Sequence, residues 1–168
     1  MKKVTAGILV CLMILPLLAG CTAPKAEQEP ASQMVAIGNP WTDWASIAEA
    51  EAAVGFVFGL PEDIGGFAVA EIRTMNNELL EIVYRRDDFE VCVRKQAGEG
   101  QDISGDYNLY ETSGETDRGG ATVTFCRNSG NGAIKQLLSY RGYSWSLVAL
   151  KGFGESSEWD FVDLILAG

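Results

Sequence analysis

Side chains with oxygen atoms alternate over residues 102–108, and they are the first candidates for chemistry in this sequence. The stretch reads Asp102-Ile103-Ser104-Gly105-Asp106-Tyr107-Asn108. Alternate oxygens of this kind could bind a cation, but a calcium loop of the EF-hand type needs glycine at its sixth position and glutamate at its twelfth. This chain has Tyr107 and Ser113 there. We therefore favour a turn, in which aspartate and serine side chains cap local amides before a strand, over a metal site.

The chain contains no histidine, and this removes the commonest general base and the commonest metal ligand together. Ser104 would have no histidine to activate it as a nucleophile, and no other paired catalytic motif is present. The formal net charge of -10 should repel the phosphates of nucleic acids. The composition therefore predicts a domain without catalysis or a cofactor, and it disfavours a nucleic-acid partner.

The first 21 residues predict export and a lipid anchor. Lys2 and Lys3 precede an uncharged, mostly apolar stretch over residues 4–18, which is typical of a secretory signal peptide. A membrane span would need about 20 apolar residues, so this stretch is short for one. The segment Leu18-Ala19-Gly20-Cys21 resembles the lipobox of bacterial lipoproteins at every position.

This resemblance implies cleavage before Cys21, a diacylglyceryl group on its thiol and a further acyl chain such as palmitate on the new amine. Stable anchoring needs more than one chain, because a single acyl chain binds a membrane only marginally. An ordinary signal peptide that leaves Cys21 as a free thiol is the alternative. We predict a cleaved signal over 1–20, the lipidated cysteine and a flexible tether over 21–38, and a single extracytoplasmic domain over 39–168.

Cys92 and Cys126 are the two cysteines of the predicted domain, and both alternate with apolar residues. Both should therefore lie on the sheet face opposite to the core. Disulfides persist outside the cytosol, and a bridge needs Cα atoms about 5.5–6 Å apart. We favour a bridge between strands, with two free thiols as the alternative, because the sequence does not determine which strands are neighbours.

Tyr143, Trp145 and Leu147 alternate along a predicted strand and therefore share one face. Aromatic residues in such positions usually belong to the core. If the C-terminal helix leaves part of this face uncovered, the three side chains would line an apolar groove. Their burial under the helix would exclude that groove.

Residue periodicity predicts one helix near each end of the domain. The first is predicted over residues 41–55, with Ser46 and Glu49 as a capping box and Gly55 as its end. The last is predicted to be capped by the serines at 156 and 157 and to end at residue 166.

Between the helices, alternation of apolar and polar residues predicts strands. The predicted strands cover residues 67–73, 79–84, 89–94, 121–126, 134–140 and 143–150. We therefore predict an α+β domain with a single curved antiparallel sheet of about six strands, of which a half-barrel is one form.

Several stretches of the domain together resemble an uncharacterised bacterial domain family, found in secreted lipoproteins and in the outer parts of anti-sigma-factor proteins. The most specific is the stretch over 102–108. The others are Asn39-Pro40-Trp41, the first helix up to Leu60-Pro61, Val93-Arg94-Lys95 and Gly142-Tyr143-Ser144-Trp145-Ser146. Cys126 departs from the resemblance, which would place a glycine there. The family has no established activity, so the resemblance implies a sheet with helices and no catalytic residues.

Together these observations predict a lipid-anchored, non-catalytic protein that binds a protein or peptide at the bacterial cell envelope. The alternative is a carrier that holds a lipid or another apolar ligand in a groove of the curved sheet. A carrier needs a continuous internal cavity, whereas a binding domain needs only an exposed patch.

Overall fold

The computed structural model describes residues 39–154 and 157–168. The predicted signal peptide, Cys21 and the tether lie outside these residues. Within them, no helix is both long enough and apolar enough to cross a membrane. The elements follow in the order β1 (Trp41–Asp43), α1 (Ile47–Val54), β2 (Asp63–Ile64), β3 (Phe67–Met75), β4 (Leu79–Arg86), β5 (Phe89–Ala97), β6 (Thr112–Arg118), β7 (Ala121–Arg127), β8 (Ile134–Tyr140), β9 (Tyr143–Ala149) and α2 (Asp160–Ala167).

The strands of the described residues form one antiparallel sheet of nine strands, which is not closed into a barrel. Its order is β1-β3-β4-β5-β9-β8-β7-β6, and β2 pairs with the start of β3. The series β3–β5 and the series β6–β9 are thus joined where β5 pairs with β9. The antiparallel sheet with two helices is confirmed, and the predicted number of about six strands is wrong.

Three strands are absent from the sequence prediction because their residues do not alternate between apolar and polar. β1 lies inside the predicted first helix, and it pairs with the end of β3. β2 has only two residues. β6 consists of polar residues and glycine. This composition suits an outermost strand, because neither of its faces is fully covered.

The helix termini explain where the helical predictions succeed and where they fail. Ser46 Oγ accepts a hydrogen bond from the Glu49 amide at 3.3 Å, and Gly55 ends α1 with φ 78°. The first prediction is wrong about residues 41–46, which precede α1, and the second is wrong about the start of α2. Ser157 Oγ accepts from the Trp159 amide at 3.2 Å, ahead of the helix, and Ser156 lies outside the described residues.

Both helices cover one face of the sheet, which we call the inner face. On this face Phe161 of α2 meets the rings of Tyr84 and Phe67, with centroids 5.3 and 5.9 Å apart. Ala50 of α1 is buried in the same core. Each such large apolar side chain contributes roughly 1.5–3 kcal/mol through burial. The opposite face, the outer face, is covered in part by the loop over residues 98–111, which we call the β5–β6 loop.

Candidate functional site

The β5–β6 loop contains the turn that the sequence predicts at residues 102–108. Asp102 Oδ1 accepts hydrogen bonds from the Ser104 amide at 2.9 Å and from Ser104 Oγ at 2.6 Å. Ser104 Oγ accepts from the Asp106 amide, and Asp106 Oδ1 accepts from the Asn108 amide, each at 3.2 Å. The carboxylates are thus engaged with the loop itself. Among the described residues, no group of three or more potential ligand side chains is arranged to hold a metal.

Lys135 of β8 attaches this loop to the outer face. Its Nζ donates to the Asp106 carbonyl oxygen at 3.3 Å and to Asp102 Oδ2 at 3.5 Å. Burial raises the pKa of Asp102, but the hydrogen bonds from Ser104 and the charge of Lys135 outweigh it. The pKa of Asp102 therefore lies below its ordinary value, and the carboxylate stays charged as part of the attachment.

Arg94 of β5 makes the second attachment. Its Nη1 donates to the Ile103 carbonyl oxygen at 3.0 Å. Gly105 lies directly on this guanidinium with φ +60°, and a Cβ at residue 105 would collide with Nη1. Glycine at this position allows both the left-handed backbone and the close approach of the loop to the sheet.

A buried carboxylate lies beneath the loop. Glu81 of β4 is 0% exposed, and it accepts hydrogen bonds from Arg73 Nε and, at 2.5 Å, from Arg94 Nε. Cys92 Sγ donates to Glu81 Oε2 at 2.9 Å. The Trp41 ring lies 4.9 and 5.3 Å from the two guanidinium carbons. Burial raises the pKa of Glu81, but the bond from Cys92 and the two guanidiniums outweigh it, so that pKa is lowered.

Several buried polar side chains were not predicted from the sequence, and the largest that are fully buried are Glu81 and Gln136. Glu81 had a signal, since it interrupts the apolar run of residues 79–83, but alternation alone would expose it to solvent. Gln136 had none. It is fully buried on the inner face, opposite Phe125 and Leu147, and neither of its amide atoms has a partner in the described residues.

The thiol of Cys92 is poorly suited to nucleophilic chemistry. Burial and the charge of Glu81 raise the pKa of Cys92 far above its ordinary value. The reactive form of cysteine is the thiolate, and here the neutral thiol is stabilised as a donor to the Glu81 carboxylate.

The favoured disulfide between Cys92 and Cys126 is wrong, since both are free thiols. Both lie on the outer face, as their alternation predicts, but their strands are not neighbours. The strand registers place Val148 of β9 and Lys135 of β8 between them in one row across the sheet. Three strand spacings of about 4.8 Å separate the two cysteines, which is well beyond the reach of a disulfide.

The β5–β6 loop and the outer face enclose a cleft of about 650 Å³, which we call the outer cleft. Its lining includes the apolar side chains of Val148 and Leu150, the Cys92 thiol, and the charged groups of Arg94 and Lys151. The loop forms one wall through Ser104, Gly105, Asp106, Tyr107 and Asn108. The cleft thus combines apolar surface with charges of both signs, and its volume is in the range of ligand-binding pockets.

Two large apolar side chains of the loop point into solvent beside this cleft. Tyr107 is 95% exposed and Leu109 is 93% exposed. The backbone that presents them is fixed by the bonds of Asp102, Ser104 and Asp106 described above. Exposed side chains of this kind on an ordered loop are typical of surfaces that bind a partner.

The predicted groove along Tyr143, Trp145 and Leu147 is wrong for Leu147, which is 1% exposed and belongs to the core. Trp145 is 4% exposed, and only Tyr143 is half-buried. These two aromatic residues line a cavity of about 220 Å³. Pockets for small ligands usually measure about 300–1,000 Å³, so this cavity is small for an acyl chain.

The side chain of Lys95 faces the same aromatic rings. Its Nζ lies 4.3 Å from the Tyr143 ring centroid and 4.6 Å from that of Trp145, and it donates to the Val57 carbonyl oxygen at 2.6 Å. Burial lowers the pKa of Lys95 despite the nearby charge of Glu51. The charged amine makes this part of the inner face less suitable for an apolar ligand than the sequence pattern suggests.

No protein-family model, curated protein or solved structure matches this chain. The family resemblance at residues 39–166 therefore stays a prediction. Lipidation of Cys21 also stays a prediction, because that residue lies outside the described part of the chain.

Proposed function

We propose that this chain is a lipid-anchored extracytoplasmic protein of the bacterial cell envelope, with a non-catalytic domain that binds a protein or peptide. The N-terminal signal and the lipobox ending at Cys21 support the anchor. The domain would be held at the membrane surface by diacylglyceryl on Cys21, with the residues up to 38 as a tether.

The observation that supports binding best is the exposure of Tyr107 and Leu109 beside the outer cleft. Folding gains nothing from leaving two large apolar side chains in water, whereas an interface does. The loop is already ordered by its own hydrogen bonds, so a partner would not have to meet the entropic cost of ordering it.

The chemistry of the cleft supports a role without catalysis. The chain has no histidine, and the Cys92 thiol donates to Glu81 and has a strongly raised pKa. The negative net charge of the chain also favours a partner other than nucleic acid.

The alternative, a carrier of a lipid or another apolar ligand in a curved, half-barrel-like sheet, stays a prediction with less support. It would need an apolar cavity on the inner face, where Leu147 is packed in the core and Lys95 lies against the aromatic rings.

The anchor is tested by mass spectrometry of the membrane-bound protein from cells that produce it. We expect the N-terminal peptide to begin at Cys21 with a diacylglyceryl group and an amide-linked acyl chain. The variant Cys21→Ser should lack the lipid and move to the soluble fraction. An unmodified Cys21 thiol on the mature protein would contradict the anchor without bearing on the cleft.

The binding function is tested with a photo-reactive amino acid in place of Tyr107, in intact cells. We expect a discrete cross-linked product, which weakens when Leu109→Ser is added. The matched control places the same amino acid at Glu78, which is exposed in the turn between β3 and β4. Equal cross-linking at both positions, or none at Tyr107, would overturn the proposed role of the cleft.

A further inference from the structure

The strands at the two edges of the sheet, β1 and β6, differ in length. β1 has three residues, whereas β6 has seven and pairs with β7 in continuous register. No described strand pairs with the other side of β6. A strand in this position presents unpaired backbone amides and carbonyls, and proteins usually protect such an edge with charged side chains, above all lysine, or with proline, a bulge or shortness. β6 has no lysine, no proline and no register shift, and its basic side chain, Arg118, pairs with Asp163 of α2.

The outer-face side chains of β6 add charge to this free edge. Glu115 and Asp117 are exposed, two positions apart, and neither forms an ion pair or a side-chain hydrogen bond within the described residues. Other acids on the same face are neutralised: Glu71 and Glu90 pair with Arg85, and Glu81 pairs with Arg94.

The inner-face side of β6 offers a surface of different character. Gly114 has no side chain, and the Phe125 ring of β7 lies against it, with the Arg127 guanidinium carbon 4.7 Å from the centroid of that ring. An added strand would place its alternate side chains next to this half-covered ring. Apolar residues would suit these positions, and basic residues would suit those beside Glu115 and Asp117.

We propose that the free edge of β6 binds an extended segment of a partner protein in which basic and apolar residues alternate. Backbone hydrogen bonds would add this segment as a further strand of the sheet. Its basic residues would pair with Glu115 and Asp117, and its apolar residues would cover Phe125. This inference rests on the proposed binding function for its biological setting, but it does not depend on the outer cleft.

The test uses the full chain in non-ionic detergent and a dye-labelled peptide of the same length as β6, alternating lysine and valine. Fluorescence anisotropy measures the affinity, and hydrogen–deuterium exchange measures which segments the peptide protects. We expect protection of β6. The variant Glu115→Lys/Asp117→Lys should bind at least about fivefold more weakly, because two favourable cross-strand charge pairs are replaced by repulsive ones.

Two controls separate strand addition from attraction to an acidic protein. Glu49→Lys/Glu78→Lys makes the same change in net charge at exposed positions on other elements, and it should leave the affinity unchanged. A peptide N-methylated at alternate amides should bind much more weakly, since it cannot form the backbone ladder. Equal weakening by both double variants, full binding of the N-methylated peptide, or no binding at all would overturn the proposal.

The variant Leu109→Ser distinguishes the edge from the cleft. It should keep the affinity for the peptide and weaken only the cross-link from the photo-reactive amino acid that replaces Tyr107. Protection of residues 104–108 by the peptide in place of β6 would overturn the edge proposal and leave the cleft as the binding surface.

Discussion

On the inner face of the sheet, α1 and α2 cover aromatic rings and aliphatic side chains, whereas the outer face packs ion pairs beneath a single loop. The inner contacts, such as Phe161 against Tyr84, are not directional and stabilise the domain roughly in proportion to the apolar area they bury. The outer contacts are directional hydrogen bonds and ion pairs. The bond from Arg94 to Glu81 orients the guanidinium that also donates to the loop.

This difference indicates a division of roles between the faces. The inner face provides most of the stability, and the cavity beside Tyr143 and Trp145 is small. The outer face positions the β5–β6 loop, and with it Tyr107 and Leu109. Substitutions on the inner face should therefore lower the free energy of global unfolding most, whereas those on the outer face should lower it less or act on the loop alone.

The largest effect is expected for Phe161→Ala. It removes a ring that packs against Tyr84, Phe67 and Phe153, and it should lower the free energy of unfolding by about 3–5 kcal/mol. Urea denaturation followed by tryptophan fluorescence measures the loss. Leu164→Ala in the same helix, at a side chain 37% exposed, should cost less than about 1 kcal/mol. Equal losses would contradict the assignment of the core.

Glu81→Gln should have the next largest effect. It keeps the shape of the side chain but removes the charge between two partly buried guanidiniums, at a cost of about 2–3 kcal/mol. The control is Glu90→Gln, whose exposed pair with Arg85 should contribute little. Chemical denaturation of both variants gives the comparison. If the two variants were equally stable, Glu81 would not organise the outer face.

Acid should weaken the outer face. The pKa values of Glu81 and Asp102 are lowered in the folded protein, so their contribution is present above the ordinary carboxyl pKa of about 4–4.5 and is lost as the pH falls through the folded values. Unfolding free energies measured between about pH 6 and pH 3 should decrease for the wild type. Glu81→Gln should flatten this decrease, and Phe161→Ala should leave its slope unchanged.

The smallest effect is expected for Gly105→Ala. The left-handed backbone at φ +60° and the contact with the Arg94 guanidinium should together cost about 1–2 kcal/mol. Faster hydrogen exchange should be confined to the β5–β6 loop. Gly130→Ala is the control, since a Cβ at residue 130 would have no atom within 4 Å and the φ of this residue is not left-handed. Faster exchange throughout the sheet would contradict a local role.

Local patterns were enough to predict many of the elements. Ser46 and Gly55 marked the helix termini of α1, and the alternation over residues 134–140 gave the bounds of β8. β6 could not be found in this way, because a polar strand at an edge has the composition of a loop. The start of α2 was also wrong, since serines near a helix can bond to amides that precede it.

The candidate site was predictable only in part. The turn at residues 102–108 followed from side chains that can bond to amides two residues away, which is a local property. The row from Cys92 through Val148 and Lys135 to Cys126 depends on strand order, and so does the absence of a bridge. Alternation placed both thiols on the correct face but gave no information on the strands between them.

The sequence by itself determined the turns, the alternation of faces and the N-terminal signal that predicts a lipid on Cys21. Only the tertiary structure decided that β5 pairs with β9, that Glu81 is buried between two arginines, and that no described strand pairs with the outer side of β6. The physical reason is the separation along the sequence between the residues that interact. Turns and caps form between residues a few positions apart, whereas strand order and buried ion pairs depend on which distant segments cover each face of the sheet.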